Sequence, residues 1–255
     1  MGTKRKDQSR RAFLKTAAAI GGILTIDMAN PINAVIFATE KPVDPTKPWW
    51  GYAIDIEKCI GCGRCANACK LENNVPREPF YFRNWVEQYT IMNDGEVKVE
   101  SPNGGIDGFI QTVPEENIFK SFFVPKMCNH CYKSPCEQVC PVGATYLTSD
   151  GVVLADENYC IGCRYCVQAC PYGCRYIHPE KNVVDKCTLC YHRITKGKTT
   201  ACTEVCPTNA RVFGDLNDKK GDLVKFQKDH NCLVLKPHLN TGSKLFYNEL
   251  NQEVR

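Results

Sequence analysis

Sixteen of the eighteen cysteines in this 255-residue chain fall into four sets of four, and the spacing within the sets leaves few structures open to it. The sets are Cys59, Cys62, Cys65 and Cys69; Cys128, Cys131, Cys136 and Cys140; Cys160, Cys163, Cys166 and Cys170; and Cys187, Cys190, Cys202 and Cys206. The first and third read C-x2-C-x2-C-x3-C. Three thiolates spaced by two residues let a short loop curl over an iron–sulfide cube and reach three of its irons, each of which needs one outside ligand. Gly61, Gly63 and Gly162 sit between ligands, where the backbone must turn tightly. Loop amides pointing at the cluster sulfurs raise its potential. The fourth cysteine lies where a helix can begin, and Pro141, Pro171 and Pro207, directly after Cys140, Cys170 and Cys206, suit a first helical position. The first set has Lys70 there instead. The pattern points to cubane clusters and to a chain that carries single electrons.

Three rival readings use the same residues. Disulfides suit an exported chain, but regular triplet-plus-one spacing argues against them. Zinc ribbons pair two C-x2-C units per metal and have no use for C-x2-C-x2-C-x3-C-P. The fourth set alone, with eleven residues between Cys190 and Cys202, matches a zinc site. Covalent haem is excluded, because Tyr132 and Tyr191 follow Cys131 and Cys190 and no C-x2-C-H occurs. Cys174 and Cys232 fall outside the sets and read as buried apolar thiols, with substitute ligation as the sharper alternative.

Residues 9–15, Ser-Arg-Arg-Ala-Phe-Leu-Lys, resemble a twin-arginine export signal, with Lys4, Arg5 and Lys6 before them and an apolar stretch, 17–26, after. A basic amphipathic helix would not need adjacent arginines there. The apolar stretch is shorter than the roughly twenty residues that span a bilayer. Weak cleavage sites end at Ala34 and Ala38, and retention as an uncleaved anchor is the other outcome. The resemblance implies export of a folded protein, which suits thiols that must be loaded in a reducing compartment. Residues 1–38 hold six of the 32 basic and two of the 28 acidic residues, so the remaining 217 residues carry 26 of each. That balance gives no basic face for nucleic acid.

The rest of the chain divides as follows. Residues 39–50 are a proline-rich linker ending in Trp49 and Trp50, which cover a core edge; residues 51–56 alternate toward a strand. Asp150-Gly151 between 144–148 and 152–155 is a hairpin signal. Ligands, hairpin and ligands again make the two-cluster unit of ferredoxins. The expected fold is α+β and loop-rich, with two ferredoxin-like two-cluster modules and short antiparallel hairpins. The inner module is 127–180 and the outer joins 51–90 to 181–255, with an insertion at 91–126. That insertion reads equally as a surface hairpin or as a docking arm for a catalytic partner. A helix is expected over 222–228, a strand over 232–236, and Phe246 and Tyr247 pack back onto the core. With so few residues left for an apolar core, the fold depends on metal–thiolate cross-links.

The motifs Cys59-Ile-Gly-Cys-Gly-Arg-Cys-Ala-Asn-Ala-Cys69, Cys128-Asn-His-Cys131, Cys160-Ile-Gly-Cys-Arg-Tyr-Cys-Val-Gln-Ala-Cys-Pro-Tyr-Gly173, Asp185-Lys-Cys-Thr-Leu-Cys190 and Ala210-Arg-Val-Phe-Gly-Asp215 resemble the iron–sulfur subunits of the dimethyl-sulfoxide-, polysulfide- and tetrathionate-reductase type. Sulfite-reduction-associated and menaquinone-reductase complexes have similar subunits. The resemblance implies four [4Fe-4S] clusters. The first takes Cys59, Cys62, Cys65 and Cys206, and the second Cys69, Cys187, Cys190 and Cys202. The third takes Cys128, Cys131, Cys136 and Cys170, and the fourth Cys140, Cys160, Cys163 and Cys166. It also implies a non-catalytic subunit on the periplasmic side, membrane-associated through its partners. These are a molybdopterin catalytic subunit or a multihaem cytochrome, and an integral membrane subunit that handles quinone. A free periplasmic polyferredoxin and a zinc-stabilised binding module are the alternatives. Arg64, Arg164 and Arg175 lie near ligands and either raise potentials or form a solvated face; His130 and His192 read as hydrogen-bonding imidazoles.

Overall fold

A computed structural model describes residues 46–77 and 81–254. The expected export segment and most of the expected linker lie outside the described residues. In chain order the elements are β1 (Trp50–Asp55), α1 (Arg64–Glu72), β2 (Asn84–Met92), β3 (Val97–Glu100), β4 (Ile118–Met127), α2 (Pro135–Gln138), β5 (Thr145–Leu147), β6 (Val153–Ala155), α3 (Tyr165–Ala169), β7 (Arg175–Ile177), β8 (Val184–Lys186), α4 (Tyr191–Ile194), α5 (Ala201–Glu204), β9 (Arg211–Asp215), α6 (Asp222–Asp229), β10 (Cys232–Leu233) and β11 (Leu245–Asn248).

β1 is a central strand rather than a half-exposed one, and Gly51 to Asp55 are all buried. β9 pairs with it antiparallel on one side and β11 parallel on the other, with β10 beyond β11. Tyr52 and Ile54 face the main core. Ala53 packs with Leu223 and Phe226 of α6, whose apolar residues fall one helical turn apart. Trp50 stacks on Phe213 at 5.0 Å and donates from Nε1 to Asp150. The expected strand over 232–236 is only two residues long, Cys232–Leu233, and Lys236 at its expected end is in the left-handed region.

The insertion forms a second sheet, in which β2 pairs with β3 and β4. Pairing runs from Asn84↔Met127 to Met92↔Ile118, so the expected boundary at 91 falls inside β2. Tyr89, Phe122 and Val124 share one buried face of the sheet, Val86 is buried on the other, and β4 delivers the chain directly to Cys128. β5 and β6 form the expected hairpin around Asp150-Gly151, and β7 and β8 form another.

The prolines act differently from expectation. In the three sets that end in Cys-Pro, a helix precedes the fourth cysteine instead of following it. α3 stops at Ala169, with Cys170 extended at its end and Pro171 next. Proline disfavours helical backbone at the residue before it and supplies no N–H, so it terminates the turn. Where Lys70 replaces proline, α1 runs on through Cys69 to Glu72.

α1 starts at Gly63, whose φ is 65°; a Cβ there would lie 2.1 Å from the Gly105 carbonyl oxygen. Arg164 holds the corresponding place before α3 at φ 69°. Left-handed backbone alone costs a side chain about 1–2 kcal/mol. Gly63→Ala adds a backbone clash and is expected to destabilise the loaded protein by at least about 2 kcal/mol. Arg164→Ala, which keeps the same backbone strain, should be near neutral. Anaerobic thermal melts of the two variants check this, and equal melting temperatures would overturn it.

Candidate metal centres

The pairing of β1 with β9 places the loop after β1 against the turn before β9, with the Asp55 N–H donating to the Ala210 carbonyl at 2.8 Å. Cys59, Cys62, Cys65 and Cys206 consequently line one cavity of about 330 Å³. Contact between α1 and α5 brings the next group together. Cys69, Cys187, Cys190 and Cys202 line a cavity of about 270 Å³. In the inner half the β5–β6 hairpin returns the chain so that Cys140, Cys160, Cys163 and Cys166 line a cavity of about 320 Å³. Cys128, Cys131, Cys136 and Cys170 gather in the remaining site, where the other three lie within electrostatic range of Cys131. We number these sites first, second, fourth and third.

The sites form a row. Arg211 lines the first cavity and donates at 2.7 Å to Asn84, which lines the second. Cys187 of the second site lies within electrostatic range of Cys128 of the third. Cys136 of the third and Cys166 of the fourth belong to one buried cluster with Val153 and Val184. Cys62 and Cys163, one at each end of the row, are exposed; the thiols of the second site are all buried.

The donor set suits polynuclear clusters. Among the described residues no three His, Cys, Asp or Glu side chains converge on a point as they would around one ion. Four thiols around a cavity instead suit a group with four separate metal corners. Donors already aim at the sulfurs. The N–H groups of His130, Thr145, Val184 and Leu189 lie 3.4–3.5 Å from Sγ of Cys128, Cys140, Cys160 and Cys187. Arg211 Nη2 lies 3.2 Å from Cys65 Sγ, and the Tyr52 hydroxyl 3.3 Å from Cys202 Sγ.

A second observation requires anions here. Arg175, Lys186, Arg211 and Lys244 are all buried, and among the described residues none forms an ion pair with a carboxylate. Two of them, Arg175 and Lys186, sit directly opposite each other across β7 and β8. Buried like charges so placed are strongly unfavourable without negative charge nearby. The thiolates of a loaded site supply it. Burial pushes the Cys59 and Cys136 thiols up to about 11 and Cys131 to about 12, so without metal they hold their protons. Cys170 is the exception; a side-chain hydrogen bond from Cys174 holds it down at about 5 against burial.

Cys174 lines none of these cavities and lies 3.0 Å from the Met127 carbonyl oxygen; Cys232 is half-buried in β10. His130 is buried and accepts from the Val153 N–H at 3.1 Å, and burial holds it neutral. His192 is half-exposed and sits 2.6 Å from Glu72. Arg211, Lys186 and Lys244 escaped the sequence reading as charges of interest. A signal for Arg211 was present, since Arg175 and Arg211 each stand five residues after the cysteine of a Cys-Pro pair and each begins a strand.

Two family models, both described as 4Fe-4S dicluster domain, match residues 58–144 and 119–216. The B subunit of tetrathionate reductase from Salmonella typhimurium is 34% identical over 94% of this chain and 88% of its own length. The protein of the same name from Archaeoglobus fulgidus is 43% identical, covering 77% of this chain and 80% of that protein. This protein belongs to the family of iron–sulfur subunits of the tetrathionate-, polysulfide- and dimethyl-sulfoxide-reductase type. The B polypeptide of polysulfide reductase from Wolinella succinogenes, 33% identical over 77% of this chain and 92% of its own length, is a further member. Four [4Fe-4S] clusters are the family member's cofactors, two for each dicluster unit.

Proposed function

We propose that this chain is the electron-carrying, non-catalytic subunit of a membrane-associated respiratory reductase. It relays single electrons between a catalytic or cytochrome subunit and a quinone-binding membrane subunit. The observation that carries this reading is the row of four cysteine sites with an exposed thiol at each end. The ligand sets are Cys59, Cys62, Cys65 and Cys206; Cys69, Cys187, Cys190 and Cys202; Cys128, Cys131, Cys136 and Cys170; and Cys140, Cys160, Cys163 and Cys166. When bound, each [4Fe-4S] cluster supplies one reversible one-electron couple, tunable by charge, hydrogen bonding and solvent access.

The chain's own residues do the rest. Tyr52, Met127 and Leu189 bury the second site, in the interior of the row, and keep water from it. Aimed N–H groups stabilise negative charge on the sulfurs. At the two ends, Ile60 is 57% and Ile161 64% exposed beside Cys62 and Cys163. These apolar rims suit close approach of partner surfaces, where distance limits electron transfer. No helix among the described residues is long and apolar enough to cross a membrane, and the quinone role is assigned to a partner. The Arg10-Arg11 motif supports export by the twin-arginine route to the periplasmic face of the cytoplasmic membrane.

Anaerobic purification from membranes tests the proposal. The chain should co-elute with larger partners and carry about sixteen iron atoms with matching acid-labile sulfide. Elution of the fully loaded chain alone from the soluble fraction would favour a free polyferredoxin. Zinc without sulfide would favour a binding module and end the electron-transfer reading.

A further inference from the structure

Three of the buried cations occupy three different places along the row. Arg211, 3% exposed, lies between the first and second sites. It lines the first cavity, donates to Cys65 Sγ of the first site, and faces the Tyr52 ring, whose hydroxyl meets Cys202 Sγ of the second. Lys186, 1% exposed, lies between the second and third. Its backbone adjoins Cys187 of the second site, and its Nζ donates to the Cys187 carbonyl at 2.7 Å and to the carbonyl of Val153. Val153 in turn packs on Cys136 of the third site. Arg175, 5% exposed, lies between the third and fourth. It follows Cys170 by five residues and donates at 3.0 Å to Thr145, which lines the fourth cavity. Among the described residues its Nε and Nη2 have no hydrogen-bond partner. The sulfurs of Cys136 and Cys128 on one side and of Cys166 on the other lie within electrostatic range of it.

We propose that Arg211, Lys186 and Arg175 are fixed counter-charges, one in each gap of the row, that set the potentials of the clusters on either side and allow neighbours to be reduced together. The inference rests on the ligand sets proposed above. Each reduction brings one electron from the external reductant and adds one negative charge to the site it enters. Two adjacent additions repel one another. A permanent cation in the gap offsets that repulsion, and arginine keeps its charge at every working pH. A unit charge about 10 Å away, at an effective dielectric of about 20, changes a reduced-to-oxidised ratio roughly tenfold. Each arginine should therefore act on its own end of the row and hardly on the other.

The test uses the complete chain, anaerobically purified and loaded, titrated with dithionite and followed by electron paramagnetic resonance. The signals lost in Cys62→Ser and Cys163→Ser identify the first and fourth sites. At the potential that half-reduces the fourth site in the unaltered chain, Arg175→Gln should lower its reduced-to-oxidised ratio roughly tenfold and leave the first site unchanged. Arg211→Gln should show the opposite pattern. Arg175→Lys and Arg211→Lys, which keep the charge, should stay within about twofold of the unaltered protein. Lys186→Met should move neither end site as far. Fully loaded glutamine variants with unchanged ratios, equal shifts at both ends, or lysine variants that shift as far as glutamine would each overturn the proposal. Neutral variants that load no iron while the lysine variants load would also overturn it, in favour of a role confined to assembly. Iron and sulfide absent from the unaltered chain would instead remove the ligand sets themselves, a distinct failure.

Discussion

Stripped of iron by a chelator under anaerobic reducing conditions, the chain should lose its fold and show no cooperative thermal transition. The reason lies in what remains once the metal is gone. β5–β6 and β7–β8 are isolated two-stranded ribbons of three residues per strand. Such pairs are marginal at best in water. The buried cluster of the inner half has four members, and two of them are Cys136 and Cys166. Arg175, Lys186 and Arg211 would also remain buried with their balancing thiolates reprotonated. Leaving one partner of a buried charge pair unpaired costs about 3–5 kcal/mol, comparable with the whole stability of many domains. Metal binding and folding are then one equilibrium. Far-UV circular dichroism and calorimetry on the iron-free chain measure this directly. A sharp, single melting transition from such a sample would contradict it.

Exchange of a fourth cysteine should remove a cluster on the far side of the sequence. Cys206→Ser and Cys59→Ser are expected to abolish the same paramagnetic signal, whereas Cys202→Ser and Cys69→Ser abolish another. Each variant should retain about twelve of about sixteen irons if the other sites load independently. Cys202 and Cys206 are one helical turn apart, yet they line different cavities. If Cys202→Ser and Cys206→Ser removed the same signal, the crossing arrangement would be wrong and each set would serve its own cluster.

Much of this site was legible because cysteine spacing is a local property. A loop of C-x2-C-x2-C can close over only a few kinds of metal group, and Asp150-Gly151 can make only a tight turn, so both were readable residue by residue. What escaped was non-local. Nothing near 245–248 announces that this stretch runs parallel to β1, because a parallel partner is set by the crossover and the shared core. The alternation in 51–56 marks a strand but does not announce that α6 and the main core cover both of its faces. The prolines were misread for a different reason. They suit a helix start and a helix stop almost equally, and only the loop geometry upstream decides which. Arg211, Lys186 and Lys244 were missed because lysine and arginine are surface residues by default. Only the thiols that surround them reverse that expectation.

The two pairs of sites are nested like brackets. The outer pair reaches from Cys59 to Cys206, and the inner pair closes within the span from Cys128 to Cys170. Closing a longer span loses more chain entropy, although only logarithmically. On a ribosome the difference is larger, since the inner brackets can shut while the outer ones still await residues not yet synthesised. Maturation should run from the middle of the sequence outward, with the first site sealed last. A quality check on that outermost seal would then report the completion of everything inside it.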